Sequence, residues 1–157
     1  MAGYRPEQDR DSRQWWERVA RREFAVQRCD TCGTARLPAR AFCPACRTEA
    51  WHWEEAEPEG MIESWIVNHQ PFMPDLREPY LVVMVRLAAV PGCLVFGNWN
   101  GDRSPRYGER VRASFRPVDD RLTLVDWKPA TTDDLGGSAG DDAREGGGPG
   151  RDRAESR

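Results

Sequence analysis

Residues 29–46 read CDTCGTARLPARAFCPAC and contain two C-x-x-C pairs, Cys29 with Cys32 and Cys43 with Cys46. A C-x-x-C turn presents two thiolates on one side of a tight loop. Two such turns that face each other make the closed tetrahedral site that structural zinc favours. The sequence therefore predicts one structural zinc ion per chain, bound by these four cysteines.

Other uses of the four cysteines are weaker. Disulfides are disfavoured in the cytosol, and a redox C-x-x-C normally occurs once, ahead of a helix. A four-sulfur iron site stays open, since tetrahedral sulfur also accommodates iron. Gly33 suits the backbone angle after the first turn, whereas Arg47 weakens the second turn slightly. Because protein supplies all four ligands, we expect the metal to hold the fold and to perform no chemistry.

Beyond Pro58 the sequence changes to alternating or β-branched runs separated by turn residues such as Pro91-Gly92 and Asn100-Gly101-Asp102. Such runs predict strands. Five strands in so short a stretch favour a small closed barrel, because closure removes exposed sheet edges. The predicted strands are residues 61–68, 80–88, 93–99, 109–115 and 121–127.

Upstream of the cysteines, residues 7–23 lack Gly and Pro and have helical apolar spacing, so we predict a helix there. Trp15 and Trp16 are adjacent and cannot point the same way. Exposed aromatics are favoured interface anchors, and we predict that these tryptophans contribute to partner binding. The alternative is that both cover the small core.

The distribution of charge argues against nucleic acid. Residues 131–157 carry the whole net charge of −3, which leaves residues 1–130 balanced at 19 acids and 19 bases. Nonspecific nucleic-acid binding draws most of its affinity from an excess of Lys and Arg. Residues 131–157 also contain half of the fourteen glycines and no aromatic residue, so we predict a disordered tail.

These features predict a mainly β chain with four parts. An N-terminal helical segment spans residues 1–24, a zinc ribbon 25–57, a five-stranded barrel 58–130 and the tail 131–157. No apolar run is long enough for a membrane span, and the charged N-terminus shows no secretory signal. We therefore expect a cytoplasmic protein that does not enter membranes.

The sequence contains few residues in patterns that are typical of catalytic sites. His52 and His69 are its two histidines, and neither lies in a nucleophile motif. Cys93 is a fifth cysteine in an apolar strand, a setting in which a free cysteine is usually buried. No phosphate-loop, dinucleotide-binding or G-x-S-x-G motif is present. An autonomous enzyme would have few groups to use.

Arg110, Arg112 and Arg116 lie at alternate positions of a predicted strand and would share one face. Guanidinium groups bind phosphates bidentately, so this face is a candidate site for an anionic ligand such as a coenzyme A nucleotide. The alternative is a solvated outer face neutralised by nearby acids. Those acids are Asp102, Glu109, Asp119 and Asp120.

The order of features resembles a known family. A short aromatic helix is followed by QRCDTCGTARLPARAFCPAC, GMIESWIV, PYLVVMVRL, YGERVRASF and a final WKP. Over roughly residues 12–130 this order is similar to the OB-fold proteins with a rubredoxin-like zinc ribbon that accompany thiolases and related acyl-CoA enzymes. The resemblance places the zinc ligands at the four cysteines and an OB-fold in the barrel.

The resemblance implies a non-catalytic accessory subunit. Its partner would be a thiolase-fold or related acyl-CoA enzyme, such as a ketothiolase or a lipid-transfer-type aldolase or hydratase of lipid or steroid side-chain degradation. The barrel would help to form an acyl-CoA channel, while the partner would carry the catalytic residues. Two other functions stay open: a single-stranded nucleic-acid-binding OB-fold module, and catalysis by this chain itself on an acyl-CoA.

Overall fold

A computed structural model of the chain describes residues 6–70 and 79–131. The predicted disordered tail lies outside the described residues, apart from Thr131. The elements comprise one helix, a three-stranded sheet and a five-stranded closed barrel. The predicted mainly β class, N-terminal helix and small closed barrel are confirmed. Within these two ranges no helix has the length and apolarity needed to span a bilayer.

The helix α1 spans Arg13–Ala20 and is shorter than the predicted 7–23, so that prediction was wrong at both ends. Upstream, the backbone N–H of Ser12 donates to the Asp9 carboxylate at 2.7 Å, and the backbone N–H of Asp9 contacts the Ser12 hydroxyl at 3.2 Å. These local bonds compete with helical bonding. At the other end Arg22 has a φ of +63°, which ends the helix without a glycine.

The cysteine-rich region forms a three-stranded antiparallel sheet. Strand β1 spans Ala25–Cys29, β2 Ala35–Arg36 and β3 Trp51–Glu55. Their order is β2-β1-β3, with Cys29 opposite Trp51. The first cysteine turn connects β1 to β2, and the second lies between β2 and β3. Strand pairing therefore brings the two turns to the same end of the sheet.

The barrel strands are β4 Glu59–Asn68, β5 Tyr80–Leu87, β6 Leu94–Trp99, β7 Arg110–Asp119 and β8 Leu122–Pro129. They close in the order β4-β5-β6-β8-β7, and β4 pairs with β7. Neighbours are antiparallel except β6 and β8, which are parallel. Strand β7 continues past its predicted end at Phe115, because its ladder with β8 extends to Asp119.

The helix, the ribbon and the barrel share one apolar core. Trp15 and Val19 of α1 and Val26 of β1 belong to the same buried cluster as the inward-facing barrel residues. Phe24 meets Trp127 of β8 edge to face, with ring centroids 6.3 Å apart. This contact anchors the start of the ribbon on the barrel, and Trp127 is fully buried.

Because Gly97 of β6 has no side chain, β6 can lie close to the backbone of its parallel neighbour β8 and to the ring of Trp127. A Cβ at this position would lie 2.4 Å from the carbonyl oxygen of Val125 and 2.8 Å from the Trp127 ring. We predict that Gly97→Ala lowers the free energy of unfolding by about 1–3 kcal/mol through overpacking. Gly92→Ala is the control, because a Cβ there meets no atom within 4 Å. Denaturant unfolding compares the two, and equal losses would contradict the packing argument.

Candidate functional site

The four predicted cysteines converge. Their sulfur atoms all lie within 4.8 Å of one another. Cys29 Sγ is 3.5 Å from Cys46 Sγ, and Cys32 Sγ is 3.6 Å from Cys43 Sγ. A tetrahedron with metal–sulfur bonds of about 2.3 Å has edges of about 3.8 Å, so this donor set fits one tetrahedral ion. Each short pair joins one turn to the other, and a bound metal would fasten the two turns together.

The two turns have the same backbone structure. The N–H of Gly33 donates to the Cys29 carbonyl, and that of Arg47 donates to the Cys43 carbonyl, both at 2.9 Å. Gly33 has a φ of +71° and Arg47 a φ of +64°. Arg47 therefore adopts the left-handed conformation that the sequence analysis associated with glycine alone. This conformation is strained for a residue that has a Cβ atom, and the rest of the turn holds Arg47 in it.

Two threonine hydroxyls bond the sulfurs, a feature that the sequence analysis missed. Thr34 Oγ1 lies 3.2 Å from Cys32 Sγ, and Thr48 Oγ1 lies 3.2 Å from Cys46 Sγ. Each threonine follows the second cysteine of its pair by two residues, so the motif is C-x-x-C-x-T twice, in CDTCGT and CPACRT. Hydroxyls that donate to ligand atoms orient them. The repeated threonine was the signal available in the sequence.

Hydrogen bonds to the sulfurs of Cys29 and Cys43 favour the thiolate form that binds metal. The pKa of Cys32 is instead raised, because the lowering effect of the Thr34 hydroxyl is outweighed by hydrogen bonding with Cys46 and Cys43 and by burial. The Thr48 hydroxyl, followed by the backbone N–H of Cys32, lowers the pKa of Cys29 to about 5. The backbone N–H of Cys46 and that of Ala45 lower the pKa of Cys43. Donors aimed at the sulfur stabilise its charged form. With four sulfurs facing one another, a bound ion would have no position free for substrate.

The three candidate arginines lie on β7, and two of them are paired with carboxylates. Arg112 forms an ion pair with Glu59. Arg116 Nε lies 2.5 Å from the carboxylate of Asp126, which is almost fully buried. Arg110 is exposed, opposite Met61. The paired carboxylates come from β4 and β8 and are not the nearby acids that the sequence suggested.

The two candidate tryptophans differ in burial. Trp15 is 9% exposed within the core cluster, and Trp16 packs against that cluster half-buried. Their rings meet edge to face with centroids 4.7 Å apart. Trp15 therefore offers little surface to a partner, and Trp16 offers more. Their role in partner binding stays a prediction.

The most exposed apolar surface of the barrel lies elsewhere. Ile66 of β4 is 62% exposed and Phe96 of β6 is 63% exposed. Between them, Val82 is opposite Ile66 and Met84 is opposite Phe96, so all four side chains point outward from the same sheet. We call these four residues the outer barrel face. Alternation in the sequence separates the two faces of a strand, but does not show which side of the barrel stays uncovered.

Among the described residues, His52, His69 and Cys93 do not come together in an arrangement typical of a catalytic site. His52 Nδ1 lies 2.5 Å from the carboxylate of Asp30, and both side chains are about half exposed. Among residues 6–70 and 79–131, no thiol or hydroxyl hydrogen bonds to His52 or His69. Cys93 is buried, and burial raises the pKa of its thiol. A raised pKa makes this thiol a poor nucleophile at neutral pH.

Comparisons with known proteins agree with this geometry. A model of the rubredoxin-like zinc ribbon domain of ChsH2 matches residues 16–52, and a model of the C-terminal OB-fold domain of ChsH2 matches residues 53–116. The chain belongs to the ChsH2 family. The resemblance inferred from the sequence is confirmed, and the four converging cysteines are those of the family's ribbon.

Relatives of this ChsH2-family chain include subunits of enzymes. It is 32% identical to a chain of the solved Ltp2-ChsH2(DUF35) aldolase, with a TM-score of 0.73 over 81% of this chain and 100% of that one. It is 34% identical over 128 residues to a probable enoyl-CoA hydratase alpha subunit of Thermomonospora curvata. That match covers 80% of this chain and 40% of the relative, so the chain spans less than half of that relative's length.

A DUF35-family protein of Sulfolobus solfataricus shares the fold, with a TM-score of 0.54 at 15% identity. The match covers 74% of this chain and 83% of that chain.

Gly33 and Arg47 occupy equivalent left-handed positions in the two cysteine turns. Substitutions at these two positions should therefore change the stability in opposite directions. Arg47→Gly removes the strain of a positive φ, and we expect a gain in stability of roughly 0.5–1 kcal/mol after the added flexibility of the unfolded chain is counted. Gly33→Ala introduces that strain where no atom obstructs the Cβ, and we expect a loss of about 1 kcal/mol. Denaturant unfolding of metal-loaded protein measures both. A loss in both variants would contradict the equivalence of the two turns.

Proposed function

We propose that this chain is a non-catalytic accessory subunit of a thiolase-like acyl-CoA enzyme, either a ketothiolase or a lipid-transfer-type aldolase or hydratase of lipid or steroid side-chain degradation. The observation that carries the proposal is the 32% identity with the full length of a chain of the Ltp2-ChsH2(DUF35) aldolase. The partner subunit would carry the catalytic residues. The barrel would help to shape the channel for the acyl-CoA.

The contacts within the chain support a role without catalysis. The four cysteines face one another, and the histidine that has a carboxylate partner bonds no described nucleophile. Two of the three candidate arginines are neutralised by Glu59 and Asp126. Arg110 keeps an exposed guanidinium, and it is the member of this set best placed to contact an anionic part of the substrate.

The metal of the ribbon is, in this proposal, one structural zinc ion. Four thiolates in a closed tetrahedral arrangement are typical of structural zinc, and the matched family model is a zinc ribbon. The ribbon strands are short, with two residues in β2 and five in each of β1 and β3. Metal binding would therefore supply a large part of the free energy that folds this region.

Removal of one ligand tests the metal proposal. We expect Cys29→Ser or Cys46→Ser to lose the ion and unfold the ribbon, because apparent binding free energies of structural zinc reach about 10–16 kcal/mol. Cys93→Ala is the matched control, since Cys93 is a free cysteine outside the cluster, and it should keep one zinc per chain. Elemental analysis together with circular dichroism measures both effects. Folded wild-type protein that holds iron, or no metal, would contradict the proposal.

The outer barrel face is the surface that we propose for the catalytic partner. Its side chains are uncharged, and two of them, Ile66 and Phe96, are the most exposed large apolar side chains of the described barrel strands. Interfaces concentrate their binding energy in a few central aromatic or large apolar residues. Phe96 lies on β6, which is flanked by β5 and β8, and its neighbour across the sheet is Met84 of β5. Phe96 would serve as such an anchor. An acyl-CoA enzyme subunit with an apolar surface patch is the partner that fits.

Co-expression with a thiolase-type acyl-CoA enzyme subunit from the same organism tests this function. We expect the two proteins to co-purify and the enzyme's activity to depend on this chain. Phe96→Asp should weaken the complex by at least about 30-fold, the effect of losing an interface hot spot. Tyr107→Asp is the control, because Tyr107 is 73% exposed but lies in the loop before β7. Elution of the wild-type chain alone, with the enzyme's activity unchanged, would refute the proposal.

A further inference from the structure

The four sulfurs of the ribbon differ in their exposure to solvent. Cys29 and Cys43, the first cysteines of the two turns, are buried, whereas Cys32 is exposed and Cys46 is half-buried. Protons and competing metal ligands therefore reach the second cysteine of each turn more easily than the first. Each of these two second cysteines has a threonine hydroxyl 3.2 Å from its sulfur. The hydroxyls thus accompany the two sulfurs that a bound ion would lose most readily.

The two threonines have the same role in the backbone. The N–H of Cys29 donates to the Thr34 carbonyl at 3.0 Å. In the second turn the N–H of Cys43 donates to the Thr48 carbonyl at 2.9 Å. Both threonine side chains are half-buried. Because a change of side chain leaves these carbonyl groups in place, substitutions at the two positions isolate the effects of the two hydroxyls.

The two hydroxyls differ in the sulfurs that they contact. Thr48 Oγ1 lies 3.2 Å from Cys46 Sγ and 3.5 Å from Cys29 Sγ, so it contacts both turns. These two sulfurs are themselves 3.5 Å apart. Thr34 Oγ1, by contrast, contacts Cys32 of its own turn. Thiolates act as acceptors, so in a metal-loaded ribbon the Thr48 hydroxyl donates its proton to the sulfurs at the junction of the two turns.

We infer that Thr48 is a positioning residue for the metal, whose hydroxyl holds Cys46 and Cys29 at the separation that the ion requires and thereby strengthens ion binding. The inference rests on the proposed metal of the ribbon and not on the proposed catalytic partner. Four thiolates around a divalent cation carry a net charge of −2. A hydroxyl that donates to them stabilises this charge and fixes the direction of the ligand atoms. Thr34 contacts one turn and should contribute less.

Competition for zinc between the full-length chain and a chromogenic chelator tests this role. Thr48→Val replaces the hydroxyl with a methyl group of similar size. We expect the zinc affinity to fall about 10–100-fold, the usual effect of losing a group that hydrogen bonds a metal ligand. Thr34→Val is the matched control and should lower the affinity by a much smaller factor. Thr48→Ser keeps the hydroxyl and should bind zinc about as tightly as the wild-type chain.

A spectroscopic measurement separates the hydrogen bond from a general loosening of the ribbon. Cobalt(II) bound in place of zinc gives a sulfur-to-metal charge-transfer band, and a hydrogen bond to a thiolate lowers the energy of the sulfur electrons. Loss of that bond in Thr48→Val should therefore shift the band to longer wavelength. Thr48→Ser should keep the wild-type band. A shift of the same size in Thr48→Ser would contradict the role of the hydroxyl.

The chelator experiment also defines the results that overturn the inference. It is overturned if Thr48→Val binds zinc as tightly as the wild-type chain, if Thr34→Val costs as much, or if Thr48→Ser is as weak as Thr48→Val. Should Thr48→Val not fold, Thr48→Ala gives the same comparison, and wild-type affinity in that variant overturns the inference. A wild-type chain that binds no zinc overturns the metal proposal as well, whereas unaffected variants of a zinc-binding chain overturn this inference alone.

Discussion

Four sulfur atoms from two separate turns meet within 4.8 Å, at the end of a sheet whose middle strand leads into the barrel core. Backbone bonds within each turn shape that turn, and the bond from the Asp30 N–H to the Ala50 carbonyl joins the first turn to the segment after the second. β1 joins this end to Phe24, which packs on Trp127. Convergence of the sulfurs therefore holds one end of β1, and the contact of Phe24 with Trp127 holds the other end on the barrel.

In the part of the chain that the structure describes, several charged side chains are paired with one another, and a few large apolar side chains are exposed. Arg112 and Arg116 face carboxylates, and Arg103 pairs with Glu109. In contrast, Ile66 and Phe96 project from a sheet face that nothing described covers. The exposed apolar side chains are available to a binding partner, and the chain is similar to proteins named as an aldolase complex and as a probable enoyl-CoA hydratase subunit.

Local patterns predicted the parts of the structure that depend on local chemistry. The cysteine spacing predicted the four cysteines whose sulfurs converge, and alternation predicted all five barrel strands. The helix was predicted too long, because apolar spacing does not register the competing bonds of Asp9 and Ser12. The partners of Arg112 and Arg116 were missed because Glu59 and Asp126 lie on other strands. The two members of each pair are far apart in the sequence, and their side chains meet only in the closed barrel.

The sequence by itself determined which four cysteines converge, the mainly β class and the family, because each depends on residue types at short, fixed spacings. Only the tertiary structure decided which surfaces remain uncovered. β4 alternates like any half-buried strand, yet its second half leaves β7 after the bulge at Ile62 and becomes an edge. Burial of Trp15 and exposure of Ile66 and Phe96 are likewise properties of the assembled chain. Exposure depends on what packs against a residue, and packing partners lie far away in sequence.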